Sequence, residues 1–118
     1  MLVLQSLWGW SESLRSAAEQ ASTHGFDGLE CNVMHPCLQG VDAAEVRQLL
    51  SAHGLVLILE ITTGGDYTPD LADGPQRHLQ QLEDLLGRAH ALEPLKINLI
   101  TGSDSWPEPE QHRFLEAV

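Results

Sequence analysis

Leu55-Val56-Leu57-Ile58-Leu59-Glu60-Ile61-Thr62 is a near-continuous apolar run. It has the length of a strand and falls far short of a membrane span. Such a run, with little polar alternation, is expected of a strand covered on both faces of a parallel sheet. Parallel neighbours must be joined by a crossover, usually a helix, so the flanks should carry helical periodicity. They do. Upstream, Asp42 and Glu45 have capping-box-like spacing, with Asp as a variant of the usual Ser or Thr. Val46, Leu49, Leu50 and His53 then fall on one helical face, and Gly54 ends the helix. Downstream, a long polar loop leads to Asp73-Gly74-Pro75, a helix start with proline in the first turn. Leu79, Leu82, Leu86 and Ala89 supply its apolar stripe, and Pro94 stops it.

The same alternation extends to both ends of the chain. Residues 2–7 read as a short first strand. Ser11 is placed to cap a helix whose Leu14, Ala17, Ala18 and Ala21 share one face, with Gly25 as its stop. Phe26-Asp27-Gly28-Leu29-Glu30-Cys31-Asn32-Val33 is a second strand, placed mainly by its neighbours. Leu95-Lys96-Ile97-Asn98-Leu99-Ile100 is a fourth, followed by Ser105 and Glu108 as a capping box and a helix starting near Pro107. His24-Gly25-Phe26 leads to Glu30 and His53-Gly54-Leu55 leads to Glu60, a repeat of roughly 30 residues, the size of a βα unit. The fold class is therefore α/β, with four βα units across residues 1–118. Two architectures satisfy it: half of a (β/α)8 barrel, or a complete open flavodoxin-like sheet. Helices on both faces would favour the open sheet.

Composition narrows the function. Seventeen acidic residues against six Lys and Arg give a formal net charge of −11, which repels phosphate backbones and anionic membranes and keeps the chain soluble. Hydrophobic residues make up 42% of the sequence, too many for a disordered acidic tail. There is no membrane-length apolar run and no signal-like start, and two cysteines do not make a disulfide framework. A cytoplasmic location is expected. At 118 residues the chain is too short for an eight-stranded barrel, which takes about 250. Its final helical pattern has no glycine stop, so the sequence reads as the N-terminal portion of a larger fold, or else as ending in a short helix that frays.

Several residues can carry chemistry. Glu30 and Glu60 should lie near the carboxyl ends of strands two and three, where barrel active sites form. There they can polarise a substrate hydroxyl or move a proton, or they can simply bond nearby backbone amides. Cys31, His35 and Cys37 form a C-x3-H-x-C cluster, soft ligands one short of a closed zinc site and equally a loop histidine between two small thiols. Trp8 and Trp10 can stack on a ligand ring or cover the sheet rim. Asn98 alternates with Ile97 and Leu99 and can fill a polar layer on its side of the strand. Thr62-Thr63-Gly64-Gly65-Asp66-Tyr67 has no Lys or Arg nearby and makes a poor phosphate cradle, as does Thr101-Gly102-Ser103-Asp104. His53, His78 and His90 are expected to be solvated or packing residues.

Gly25-Phe26-Asp27-Gly28-Leu29-Glu30 resembles the second strand of the xylose isomerase-like TIM barrels, which include sugar phosphate isomerases and epimerases and endonuclease IV-type repair enzymes. Glu60-Ile61-Thr62-Thr63-Gly64-Gly65 and Ile97-Asn98-Leu99-Ile100-Thr101-Gly102-Ser103-Asp104 are similar to one bacterial branch of that group. The resemblance covers the whole chain but only the first four of the family's eight units. It implies a half-barrel, with Glu60 and Glu30 as catalytic candidates and Trp8, Asn98 and Trp10 facing a small carbohydrate or sugar phosphate. It also implies a divalent metal (Mn, Mg, Co or Zn) in a full-length parent. The family's epimerases hold that metal with two glutamates, an aspartate and a histidine from strands five to eight, which this chain does not contain. Endonuclease IV relatives use first-half histidines as ligands, which makes His35 the metal candidate here.

The expected function is accordingly the N-terminal portion of a metal-dependent sugar or sugar-phosphate isomerase or epimerase, inactive as an isolated chain. Two alternatives stand beside it. One is a non-enzymatic half-barrel module that self-associates, because two exposed strand edges and an uncovered sheet face are costly in water. Two copies can close a 4+4 barrel about a two-fold axis, giving a homo-oligomer. The other is an open flavodoxin-like binding domain. No nucleic-acid or membrane partner is expected, and the acidity disfavours the repair-enzyme branch.

Overall fold

The computed structural model describes residues 1–64 and 74–118. Gly65, Asp66 and Tyr67 of the polar turn, and Asp73 at the expected helix start, lie outside the described residues. In chain order the elements are β1 (Leu4–Ser6), α1 (Leu14–Thr23), β2 (Gly28–Asn32), a 3-10 turn (Pro36–Leu38), α2 (Ala43–Ala52), β3 (Val56–Thr62), α3 (Pro75–Ala91), β4 (Lys96–Ile100) and α4 (Glu108–Ala117).

The strands form one parallel sheet in the order β1-β2-β3-β4. That order settles the architecture. A flavodoxin-like sheet would place β1 between β2 and β3, whereas here β1 lies at the edge, so that alternative is set aside. Right-handed crossovers that all step in one direction put every helix on the same face. The result is half of a (β/α)8 barrel.

The core lies between that face and the helices. Leu57, Leu59 and Ile61 of β3 and Leu29 and Cys31 of β2 pack with Ala17, Ala18 and Ala21 of α1, Val46 and Leu50 of α2, and Leu82 and Ala89 of α3. Leu59 and Ile61 are fully buried, each contributing about 1.5–3 kcal/mol. The expectation that β3 is covered on both faces is corrected. Val56, Ile58 and Glu60 are only half-buried, because among the described residues no strand stands opposite the face turned toward the barrel axis.

Local signals fare unevenly. The α1 face is as expected, but its cap is Ser13, whose Oγ accepts the Ser16 N–H, and not Ser11. The chain turns at Trp10, whose N–H donates to the Leu7 carbonyl, and this delays the helix. Asp42 caps α2 through the Ala44 N–H. Pro107 rather than Ser105 precedes α4, since the Ser105 hydroxyl is engaged with Ser103. In α3 the buried positions are His78, Leu82 and Ala89, while Leu79 and Leu86 are half-covered.

Gly87 sits exposed in the middle of α3, and a Cβ there would meet nothing within 4 Å. Gly87→Ala is therefore expected to stabilise the fold by about 0.5–1 kcal/mol through helix propensity alone, read as a raised thermal midpoint.

Candidate functional site

The carboxyl ends of β1, β2 and β3 meet under the Trp8-Gly9-Trp10 turn and enclose a cleft of about 800 Å³. Period-2 alternation decides which side chains reach it. The register pairs Ser6 with Glu30 and Glu30 with Ile58, and Asn32 with Glu60 and Glu60 with Asn98. These residues share the face opposite the helices. The two glutamates are not directly opposite each other: Glu60 lies one row nearer the mouth, roughly 6–7 Å farther along the strands than Glu30.

Trp8, Trp10, Glu30, Glu60 and His35 all line the cleft, so the structure brings these five sequence candidates together. Asn98 does not line it. It stands in the Glu60 row on β4, on the same open face but beyond the cleft wall. Gly9 has φ +77°, which allows the tight turn between the indoles. Trp10 is half-buried and its Nε1–H donates to the Ser13 carbonyl at 3.2 Å, anchoring the turn to the start of α1. Trp8 is 78% exposed and presents an open ring face at the rim.

Asn32 and Thr62 also line the cleft and were missed by sequence reasoning. The Asn32 Nδ2–H donates to Thr62 Oγ1 at 3.1 Å, and its Oδ1 accepts the Met34 N–H at 2.9 Å. The signal was available: Asn32 is two residues from Glu30 and must share its face in any strand.

His35 follows a different rule. Its Nε2 lies 2.9 Å from the Leu7 carbonyl, which can only accept, so Nε2 carries the hydrogen. Its Nδ1 accepts the Cys37 N–H at 3.1 Å and lies 3.0 Å from Cys37 Sγ. Hydrogen bonding from the Cys31 thiol, helped by His35 and opposed by burial, brings Cys37 down to about 6. The bond to Cys37 and burial push Cys31 up, and the nearby Cys37, Glu60 and Glu30 charges add to the rise.

The donor set does not fit a metal centre. His35 Nε2 is spent on the Leu7 carbonyl and its Nδ1 faces Cys37, and among the described residues no three His, Cys, Asp or Glu side chains converge to hold an ion. The turn after β3 does not present a free phosphate donor at Gly64, whose N–H donates to Gln81 Oε1 at 2.5 Å. Behind it, Thr63 Oγ1 contacts His78 Nδ1 at 2.7 Å and Thr101 Oγ1 at 2.5 Å, with the His78 ring edge-on to Trp106. His78 is thus a packing residue, fully buried. Among the described residues no helix is long and apolar enough to cross a membrane.

No protein-family model matches the chain, and no curated protein sequence does. Among solved structures it is similar to a D-allulose 3-epimerase from Methylomonas sp., with a TM-score of 0.62 and 18% identity. The match covers 99% of this chain and 45% of that one, so the chain spans less than half of its neighbour's length. At that identity the likeness is one of fold: this chain is an α/β half-barrel similar to just under half of a sugar epimerase's barrel.

Proposed function

We propose that the chain is the N-terminal portion of a sugar or sugar-phosphate isomerase- or epimerase-like protein, contributing the sugar-facing wall. The observation that carries this is the open sheet face, where Glu30, Asn32 and Glu60 line one cleft under two indoles. Carboxylates and an amide accept and donate to vicinal hydroxyls, and Trp8 offers an apolar platform for a ring's C–H face. Asn98, next to Glu60 in register, extends that row toward whatever follows β4. Glu60 and Glu30 are the candidate proton-moving groups. The metal implied by such chemistry is not accommodated by these residues, so no step is derived through it, and the isolated chain binds without turning over.

Saturation-transfer NMR with a ketohexose panel tests this. Ring-proton signals are expected for at least one ketose, abolished by Trp8→Ala and weakened about 10-fold by Glu60→Gln. Absence of any signal from folded protein would sink the binding claim. Exchange of a sugar C–H in deuterated water would sink the claim of inactivity.

A second reading, self-association, is favoured by the two edges. Leu2 and Val3 beside β1, and Leu95, Leu99 and Ile100 on or beside β4, are each 42–60% exposed. Both outer strands leave backbone groups unpaired, a template for another strand. A second copy that closes the barrel would cover both edges. Sedimentation is expected to show a dimer or larger species; a well-folded monomer at micromolar concentration would rule this out.

A further inference from the structure

The fold sets Cys37 against His35 and packs it on the core cluster that holds Cys31. We infer that Cys37, His35 and Cys31 form a hydroperoxide-reactive dithiol site, with Cys37 as nucleophile, His35 as its proton acceptor and Cys31 as the resolving thiol. The geometry assigns each role. The Leu7 carbonyl fixes the hydrogen on His35 Nε2, which leaves Nδ1 as the basic nitrogen, 3.0 Å from Cys37 Sγ. A proton transferred from the thiol to Nδ1 displaces the Cys37 N–H bond there and gives a thiolate beside an imidazolium that still donates to Leu7.

Access is asymmetric. Cys37 is half-buried and lines a second cleft of about 470 Å³ beside Trp10 and Val41. Cys31 is only 4% exposed, so a small oxidant meets Cys37 first. The shifts described above run in the same direction, with Cys37 favoured as thiolate and Cys31 held as thiol.

The chemistry balances with the peroxide as the only co-reactant. The Cys37 thiolate attacks one peroxide oxygen; an S–O bond forms, the O–O bond breaks, and its electron pair leaves on the distal oxygen. That oxygen takes the proton from His35. Sulfur is oxidised to a sulfenic acid while the peroxide is reduced to an alcohol or water. The Cys31 sulfur then displaces the sulfenic hydroxyl, which departs as water with the Cys31 proton as the S–S bond forms. Two thiols and one hydroperoxide yield one disulfide, one alcohol or water, and one water.

The sequence makes the test direct, because residues 16–47 form a single tryptic peptide that carries both cysteines. The folded chain is treated with equimolar hydrogen peroxide, quenched with iodoacetamide and mapped without reduction. The expected product is that peptide lighter by two hydrogens and unalkylated, restored by dithiothreitol. Cys31→Ser is expected to trap a dimedone-reactive sulfenic acid on Cys37. His35→Gln is expected to slow oxidation about 10-fold or more. Since Cys31 is buried and its variant can fail to fold, the wild-type peptide and Cys37→Ser decide the matter. Two alkylated cysteines in the treated wild type would overturn the proposal. So would oxidation of Cys31 at an unchanged rate in Cys37→Ser, or an unchanged rate in His35→Gln.

Discussion

Gly28→Val is expected to abolish cooperative folding, and Gly28→Ala to destabilise the chain by about 3 kcal/mol. Gly28 opens β2 and lies in register between Leu4 of β1 and Val56 of β3. A Cβ at this position would sit 2.4 Å from the Val56 carbonyl oxygen, 2.6 Å from Val56 Cγ2 and 2.8 Å from Leu4 Cδ2. Side chains can rotate away, but the carbonyl cannot move without shifting β3 where its pairing with β2 begins. Domains of this size carry only about 5–15 kcal/mol in total, so one methyl consumes a large share. Urea unfolding reads the effect as a lowered midpoint with unchanged slope. Gly87→Ala, the same chemical change in open space, moves the midpoint the other way. An unchanged midpoint for Gly28→Ala would show that β2 and β3 are not as closely apposed as described.

Why the two glycines differ is invisible in sequence, and the same limit recurs through the fold. Periodicity placed the α1 face on Leu14, Ala17, Ala18 and Ala21 because a helix buries whatever repeats at its own period. It could not separate a strand covered on two faces from one covered on one, since Val56, Ile58 and Leu59 are apolar in either case. The difference lies in what stands opposite the sheet, which no residue within the strand encodes. Likewise the Ser11, Ser13 and Ser105 hydroxyls are chemically equivalent caps. Only the turn at Trp10 and the Ser103–Ser105 contact choose among them.

The site was legible where a rule of alternation reached it and opaque where partners come from elsewhere. Glu30 and Glu60 could be set at one end of the sheet because both close a His-Gly-strand repeat, and the strand order then puts both on one face. Asn98 belongs to that face, yet the cleft walls end before it, because the tryptophan turn overhangs β1 and β2 rather than β4. His35 looked like a ligand by spacing. Its tautomer is set by the Leu7 carbonyl 28 positions away in sequence, a partner that a local motif cannot name.

Thr63→Val is expected to destabilise the chain by about 2–3 kcal/mol, more than the nearly isosteric change suggests. Thr63 is 1% exposed, and its Oγ1 is the centre of a small buried network. It meets His78 Nδ1 at 2.7 Å and Thr101 Oγ1 at 2.5 Å, and accepts the Gly102 N–H at 3.4 Å. His78 is fully buried, and its Nε2 has no partner among the described residues. Removing the Thr63 hydroxyl leaves both ring nitrogens unsatisfied and strands Thr101 as well, at about 1–3 kcal/mol for each stranded group. His78→Phe should be milder, at about 1 kcal/mol. It keeps an aromatic edge against Trp106, now at 5.0 Å and 80°, deletes the unpaired nitrogen, and leaves Thr63 its contact with Thr101. The double variant is therefore expected to fall short of the sum of the singles by about 1 kcal/mol, because each change removes a partner the other would have stranded. Chemical denaturation of the four proteins measures the coupling. Strict additivity would mean that Thr63 and His78 do not share one network.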